Sequence, residues 1–84
     1  MSKAEKLLAR MRESKSGWGA DDLGTLYSRF GFEYREGSNH RFYSHPRYPH
    51  LYATVARHND LAVGYVADAV KLIDRLKELE SQNE

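Results

Sequence analysis

Apolar residues recur along this chain with two different periods, and the change falls at Gly31. Before it, Leu7, Leu8 and Met11 gather on one side of a helical projection, with Lys3, Lys6, Arg10 and Arg12 elsewhere. That spacing predicts a short amphipathic helix over about 3–13. Ser2 and Glu5 stand at capping-box spacing at its start. The stretch 14–19 reads as a loop, with Trp18 as an anchor against the core. Leu23, Leu26, Tyr27 and Phe30 return to helical spacing, Asp21 is the expected cap, and Gly31 is the expected stop.

Beyond Gly31 the period falls to two. Phe32 and Tyr34 alternate with Glu33 and Arg35, which predicts a strand ending near Glu36. A second strand is expected over about 39–45, broken by Pro46-Arg47-Tyr48-Pro49 because proline cannot donate to a sheet ladder. A third is expected over about 51–57, with Leu51, Ala53 and Val55 on one face. A last helix over about 61–80, capped by Asn59 or Asp60, carries Val66, Ala69, Val70, Ile73 and Leu76 as its apolar stripe. The predicted order is α-α-β-β-β-α, an α+β fold: helices on one face of a three-stranded antiparallel sheet, the other face free. The expected shared core is Leu26, Phe30, Phe32, Phe42, Val55, Val66, Val70 and Ile73.

At 84 residues the chain has the length of one small domain, near the size at which a single core still folds unaided. It contains no cysteine, so disulfides and thiolate metal sites are excluded. No apolar run reaches the roughly 20 residues that span a bilayer, and no signal-peptide pattern opens the chain. A cytoplasmic location without membrane association is the expectation. The formal charge of +1 conceals a segregation. Positions 35–58 hold Arg35, Arg41, Arg47 and Arg57 against the single acid Glu36, together with all 4 histidines. A basic segment interleaved with Phe42, Tyr43, Tyr48 and Tyr52 suits a polyanion with stackable bases, and equally an ordinary solvated sheet edge.

Within that segment, Gly37-Ser38-Asn39-His40 has turn chemistry followed by an imidazole. Glycine permits positive-φ reversal, while serine and asparagine bond locally to backbone. His40 then stands where a strand begins, at a sheet rim. Histidine as a residue type exchanges protons near neutrality, so this turn reads as an RNA-cleaving site or as a hairpin turn with a surface histidine.

The combination Phe30-Gly31-Phe32-Glu33, Gly37-Ser38-Asn39-His40, His45-Pro46, Thr54-Val55 with His58, and Leu61 with Gly64 resembles the HicA family of bacterial toxins. Its members are small mRNA interferases with a double-stranded-RNA-binding-domain-like fold. The resemblance covers about 21–76, and its specific part is the glycine-serine-x-histidine turn. It implies one domain over 1–84, with 1–20 a helical extension and 21–80 the core. It further implies His40 as the catalytic residue, mRNA as substrate, and a HicB-type antitoxin as partner. Three features depart from the family's pattern: near-neutral charge, Ala56 where a proline usually follows the valine, and the additional first helix.

RNA can be cut without metal or cofactor, because its 2′-hydroxyl attacks the adjacent phosphate once that proton is removed and the leaving oxygen is protonated. His40 is the candidate acid or base. Ser38, Asn39 and the backbone around Gly37 are candidates for a phosphate oxygen, Arg41 and Arg57 (with Arg35) for flanking phosphates, and Tyr43 for a stacked base. His58 and His45 are the candidates for the second proton-transfer group, His58 having an alternative use beside Asn59-Asp60 as part of a helix cap. Strand parity sets a puzzle, since His40 shares a face with Phe42, which is expected in the core. A zinc site is the competing chemistry, but His40, His45 and His50 are spaced by five, which suits neither a helix face nor a strand face. Two non-enzymatic classes compete: an RNA-binding module of the same fold that does not cut, and a protein-interaction domain using Trp18, Tyr48 and Tyr52.

Overall fold

A computed structural model describes residues 2–82. The chain forms α1 (Lys3–Glu13), α2 (Ala20–Arg29), β1 (Glu33–Glu36), β2 (His40–Ser44), β3 (Tyr52–Ala56) and α3 (Val63–Gln82). The strands lie in the order β1-β2-β3, both pairs antiparallel. This is the α+β meander with helices on one sheet face that the periodicities predict.

Helix ends follow local chemistry. Ser2 Oγ accepts from the Glu5 N–H at 3.1 Å, closing the first turn of α1. The cap of α2 is Gly19 rather than Asp21, and the Gly19 N–H donates to Asp22 Oδ2 at 2.8 Å. The carboxylate one position further on reaches back, so the helix starts two residues earlier. Gly31, at φ +87, turns the chain out of α2 in a conformation that disfavours side chains with a Cβ. Helix α3 begins at Val63, past Asn59 and Asp60, so neither residue caps it.

Burial on the helix side of the sheet joins Leu8 and Met11 of α1, Leu23, Leu26 and Tyr27 of α2, Phe32, Tyr43 and Val55, and Val66, Ala69, Val70, Ile73 and Leu76 of α3. Helix α1 is therefore part of the core. Phe30 packs half-buried at its margin. The expectation for Phe42 fails: it is 38% exposed, whereas its neighbour Tyr43 is 2% exposed. Tyr43 stacks on Tyr27 with ring centroids 4.6 Å apart, and Tyr27 meets Phe32 edge-on at 5.1 Å. Tyr43 thus takes the core position, and β2 presents its other parity outward.

Two ion pairs tie α1 to α3: Arg12 to Asp74, bidentate at 2.7 and 2.8 Å, and Lys77 to Glu5 at 2.6 Å. Hydrogen bonding from Arg12 holds the Asp74 carboxyl below its ordinary value, against a smaller opposing effect of burial. A carboxyl whose pKa is depressed on folding stabilises the fold above its unfolded value, about 3.9, and loses that contribution as pH falls through the lower folded value. Both side chains are more than a third exposed, so solvent screening keeps the contribution under about 1 kcal/mol. Asp74→Asn is expected to lower the melting temperature at neutral pH by less than about 6 °C. Melting curves of variant and wild type should converge once pH falls below the lowered folded-state value of Asp74. A difference that persists unchanged into strong acid would assign the effect to packing instead.

Candidate functional site

Register determines what the open sheet face carries. In β2, Arg41 pairs with Val55 and Tyr43 with Ala53, and these positions face the helices. His40, Phe42 and Ser44 alternate with them and face outward, opposite Ala56, Thr54 and Tyr52. The parity puzzle is resolved by Phe42: it joins His40 on the open face.

The β1–β2 connection is short and tightly constrained. The Gly37 N–H donates to the His40 carbonyl at 2.8 Å, leaving Ser38 and Asn39 as the turn. Gly37 does not adopt positive φ; among the described residues only Gly17 and Gly31 do. It is small for another reason. A Cβ there would stand 2.8 Å from Phe42 Cε2 and 3.2 Å from the His40 oxygen, so the Phe42 ring occupies the space a side chain would need. The turn is also strapped from β3. The Arg57 N–H donates to the Asn39 carbonyl at 3.3 Å, and Arg57 Nη1 to the Gly37 carbonyl at 3.4 Å.

An open cleft of roughly 560 Å³ lies at this end of the sheet, lined by Ser38, Asn39, His40, Ala56, Arg57 and His58. His40 and His58 therefore meet in one cleft, although 18 positions separate them in the chain. The meander explains it: residues leaving β3 pass beside the turn that opens β2. His58 is fixed through its main chain, since its carbonyl accepts from the Ala20 N–H at 2.8 Å. Its backbone thus serves the start of α2 while its exposed side chain borders the cleft. Neither imidazole has a protein hydrogen-bond partner among the described residues.

The remaining candidates are placed elsewhere. Tyr43, expected to stack on a base, is in the core against Tyr27 and is unavailable for that role. Arg41, expected on a phosphate, turns to the helix side, bonding Glu36 at 3.0 Å and Asp21 at 3.3 Å. The Tyr43 hydroxyl, and then Glu36, favour its charged form further. Arg57 lines the cleft but also approaches Glu36 at 3.9 Å, so one carboxylate is shared by two guanidiniums. His45 is 5% exposed, edge-on to Phe32 at 5.1 Å, and its Nδ1 accepts from the Arg47 N–H at 3.2 Å. It is a core histidine, not the second proton-transfer group. Among the described residues, no group of three or more His, Cys, Asp or Glu could hold a metal ion.

Phe42 and Tyr52, two of the four aromatics that suit stackable bases in the sequence, face outward. Phe42 lies under the Arg35 guanidinium at 5.4 Å, and Tyr52 is 70% exposed. Which of Phe42 and Tyr43 faces outward depends on the parity of β2, which two adjacent aromatics leave ambiguous. Among the described residues no helix is long and apolar enough to cross a membrane. No family model, curated protein or solved structure matches this chain.

Proposed function

We propose that this protein is a metal-independent endoribonuclease, the toxin of a toxin–antitoxin pair resembling HicA, in which His40 and His58 act as the acid–base pair. The observation that carries the reading is the cleft in which both exposed imidazoles meet beside Ser38, Asn39 and Arg57. One imidazole takes the proton of the RNA 2′-hydroxyl as it attacks phosphorus; the other protonates the departing 5′-oxygen. Ser38 and Asn39 can donate to a non-bridging phosphate oxygen, and Arg57 supplies positive charge beside it. The substrate is cytoplasmic mRNA, and the restraining partner is a HicB-type antitoxin that covers the cleft.

Attack by the 2′-hydroxyl breaks the bond to the 5′-oxygen. The expected products therefore carry 2′,3′-cyclic phosphate and 5′-hydroxyl ends, formed at an unchanged rate in EDTA. End-group analysis of a labelled RNA incubated with the purified protein checks this. Fragments with 5′-phosphate ends, or loss of cutting in EDTA, would remove the histidine-pair mechanism.

A further inference from the structure

The sheet face that carries His40 also carries exposed aromatics in successive rows. Reading across the strands, His40 stands opposite Ala56, Phe42 opposite both Arg35 and Thr54, and Ser44 opposite both Glu33 and Tyr52. Alternate residues of a strand are about 7 Å apart, so each row advances by that distance from the histidine. That is about twice the 3.4 Å rise of a stacked nucleic-acid strand, a separation available to bases splayed apart. Phe42 and Tyr52 are diagonal neighbours on adjacent strands, within reach of consecutive planar groups. Large apolar rings of this kind are usually buried, yet here they are 38% and 70% exposed.

We infer that the open face of the sheet is a base-stacking platform for single-stranded RNA, with Phe42 and Tyr52 as successive stacking surfaces leading to His40. It rests on the reading of His40 as the reaction centre, and it specifies the form of substrate that centre receives. Charge favours a nucleic acid over an apolar protein segment. Arg35 sits over Phe42, Arg57 borders the cleft at the histidine end, and Glu33, the one acid among the strand residues of this face, occupies the row farthest from His40. The rings favour a single strand over a duplex, because paired and stacked bases present no free π-face to a flat sheet. Gly37 belongs to the same device: by omitting a side chain it lets the Phe42 ring lie close to the turn that holds His40.

The test is binding of a labelled, uniformly 2′-O-methylated RNA single strand, which cannot be cut by its own 2′-hydroxyl, and of the corresponding duplex. The wild-type chain is expected to bind the single strand at least about tenfold more tightly than the duplex. Tyr52→Ala and Phe42→Leu should each weaken single-strand binding about tenfold, within the range of one base–aromatic stack. Tyr52→Phe should bind as wild type, because the ring is kept. Tyr52 is exposed enough that its alanine variant keeps the fold, so this variant decides even if Phe42→Leu proves unstable.

Wild-type affinity in Tyr52→Ala overturns the platform, as does equal binding of duplex. A wild-type dimer that Tyr52→Ala converts to monomer also overturns it, assigning the face to a second copy of the chain. Failure of the nuclease reading looks different: ordinary RNA stays intact while the stacking variants still lose binding. If instead RNA is cut normally and the stacking variants bind normally, the platform alone is wrong.

Discussion

His40→Ala is expected to cleave RNA about 100-fold or more slowly than wild type while the fold and the affinity for RNA stay close to unchanged. The size of the effect is what a positioned proton-transfer group contributes. The specificity follows from placement. His40 is exposed at the start of β2, and no protein group hydrogen-bonds its imidazole among the described residues. Removing it breaks no side-chain hydrogen bond among the described residues, and exposed sites of this kind shift stability by under about 0.5 kcal/mol. On the proposed reading, affinity rests on phosphate and stacking contacts, which the substitution leaves in place. His58→Ala should lose a comparable factor, and the double variant little more than either single, because two groups that act as a unit are not additive. Arg41→Ala should leave cleavage nearly untouched, since its guanidinium bonds Glu36 and Asp21 on the helix side. Single-turnover cleavage of a labelled RNA, with binding measured separately, gives both quantities. Equal rates for His40→Ala and wild type would replace the nuclease by an RNA-binding module of the same fold.

The largest expected effect on stability is at the next aromatic pair. Tyr43→Ala is expected to destabilise the fold by about 3–5 kcal/mol, the cost of deleting a buried aromatic ring. It removes the surface on which Tyr27 stacks and the hydroxyl beside Arg41. In a small domain that is a large share of the total, so much of the variant should be unfolded at physiological temperature. Phe42→Ala, one residue away, should cost clearly less, because its ring is 38% exposed whereas Tyr43 is 2% exposed. Chemical denaturation of both variants checks the contrast. Equal losses would mean that β2 does not divide its aromatics between the two faces.

That pair also marks where the sequence was legible and where it was not. Elements were readable because periods of 3.6 and 2 are local properties. Helix α1 and the stripe Val66, Ala69, Val70, Ile73 and Leu76 could be placed without knowing what they touch. The parity of β2 was not local. His-Arg-Phe-Tyr-Ser puts a ring on each face, and the choice is made by Tyr27 of α2, which stacks with Tyr43. The same distant contact decides that Tyr43 cannot meet a base and that His40 faces outward. Gly37 was readable as a turn residue, but its necessity comes from the Phe42 ring rather than from positive φ. His45 and His58 were both candidates for the second proton-transfer group, His45 the weaker. Only packing shows one enclosed by Phe32 and Tyr48 and the other beside the cleft.

The pairing of α1 with α3 bears on how the chain is made. Arg12–Asp74 and Glu5–Lys77 join positions 62 and 72 residues apart, and Leu8 and Met11 share one core with Ile73 and Leu76. Until Leu76 has left the ribosome, the residues of α1 lack their partners and the sheet has only part of its helical cover. At about 5–20 residues per second, β3 precedes Leu76 by roughly 1–4 s. The nascent chain therefore acquires every residue of the cleft before it can complete the core that holds them in place. The cleft takes its final form late in synthesis, with the docking of α3.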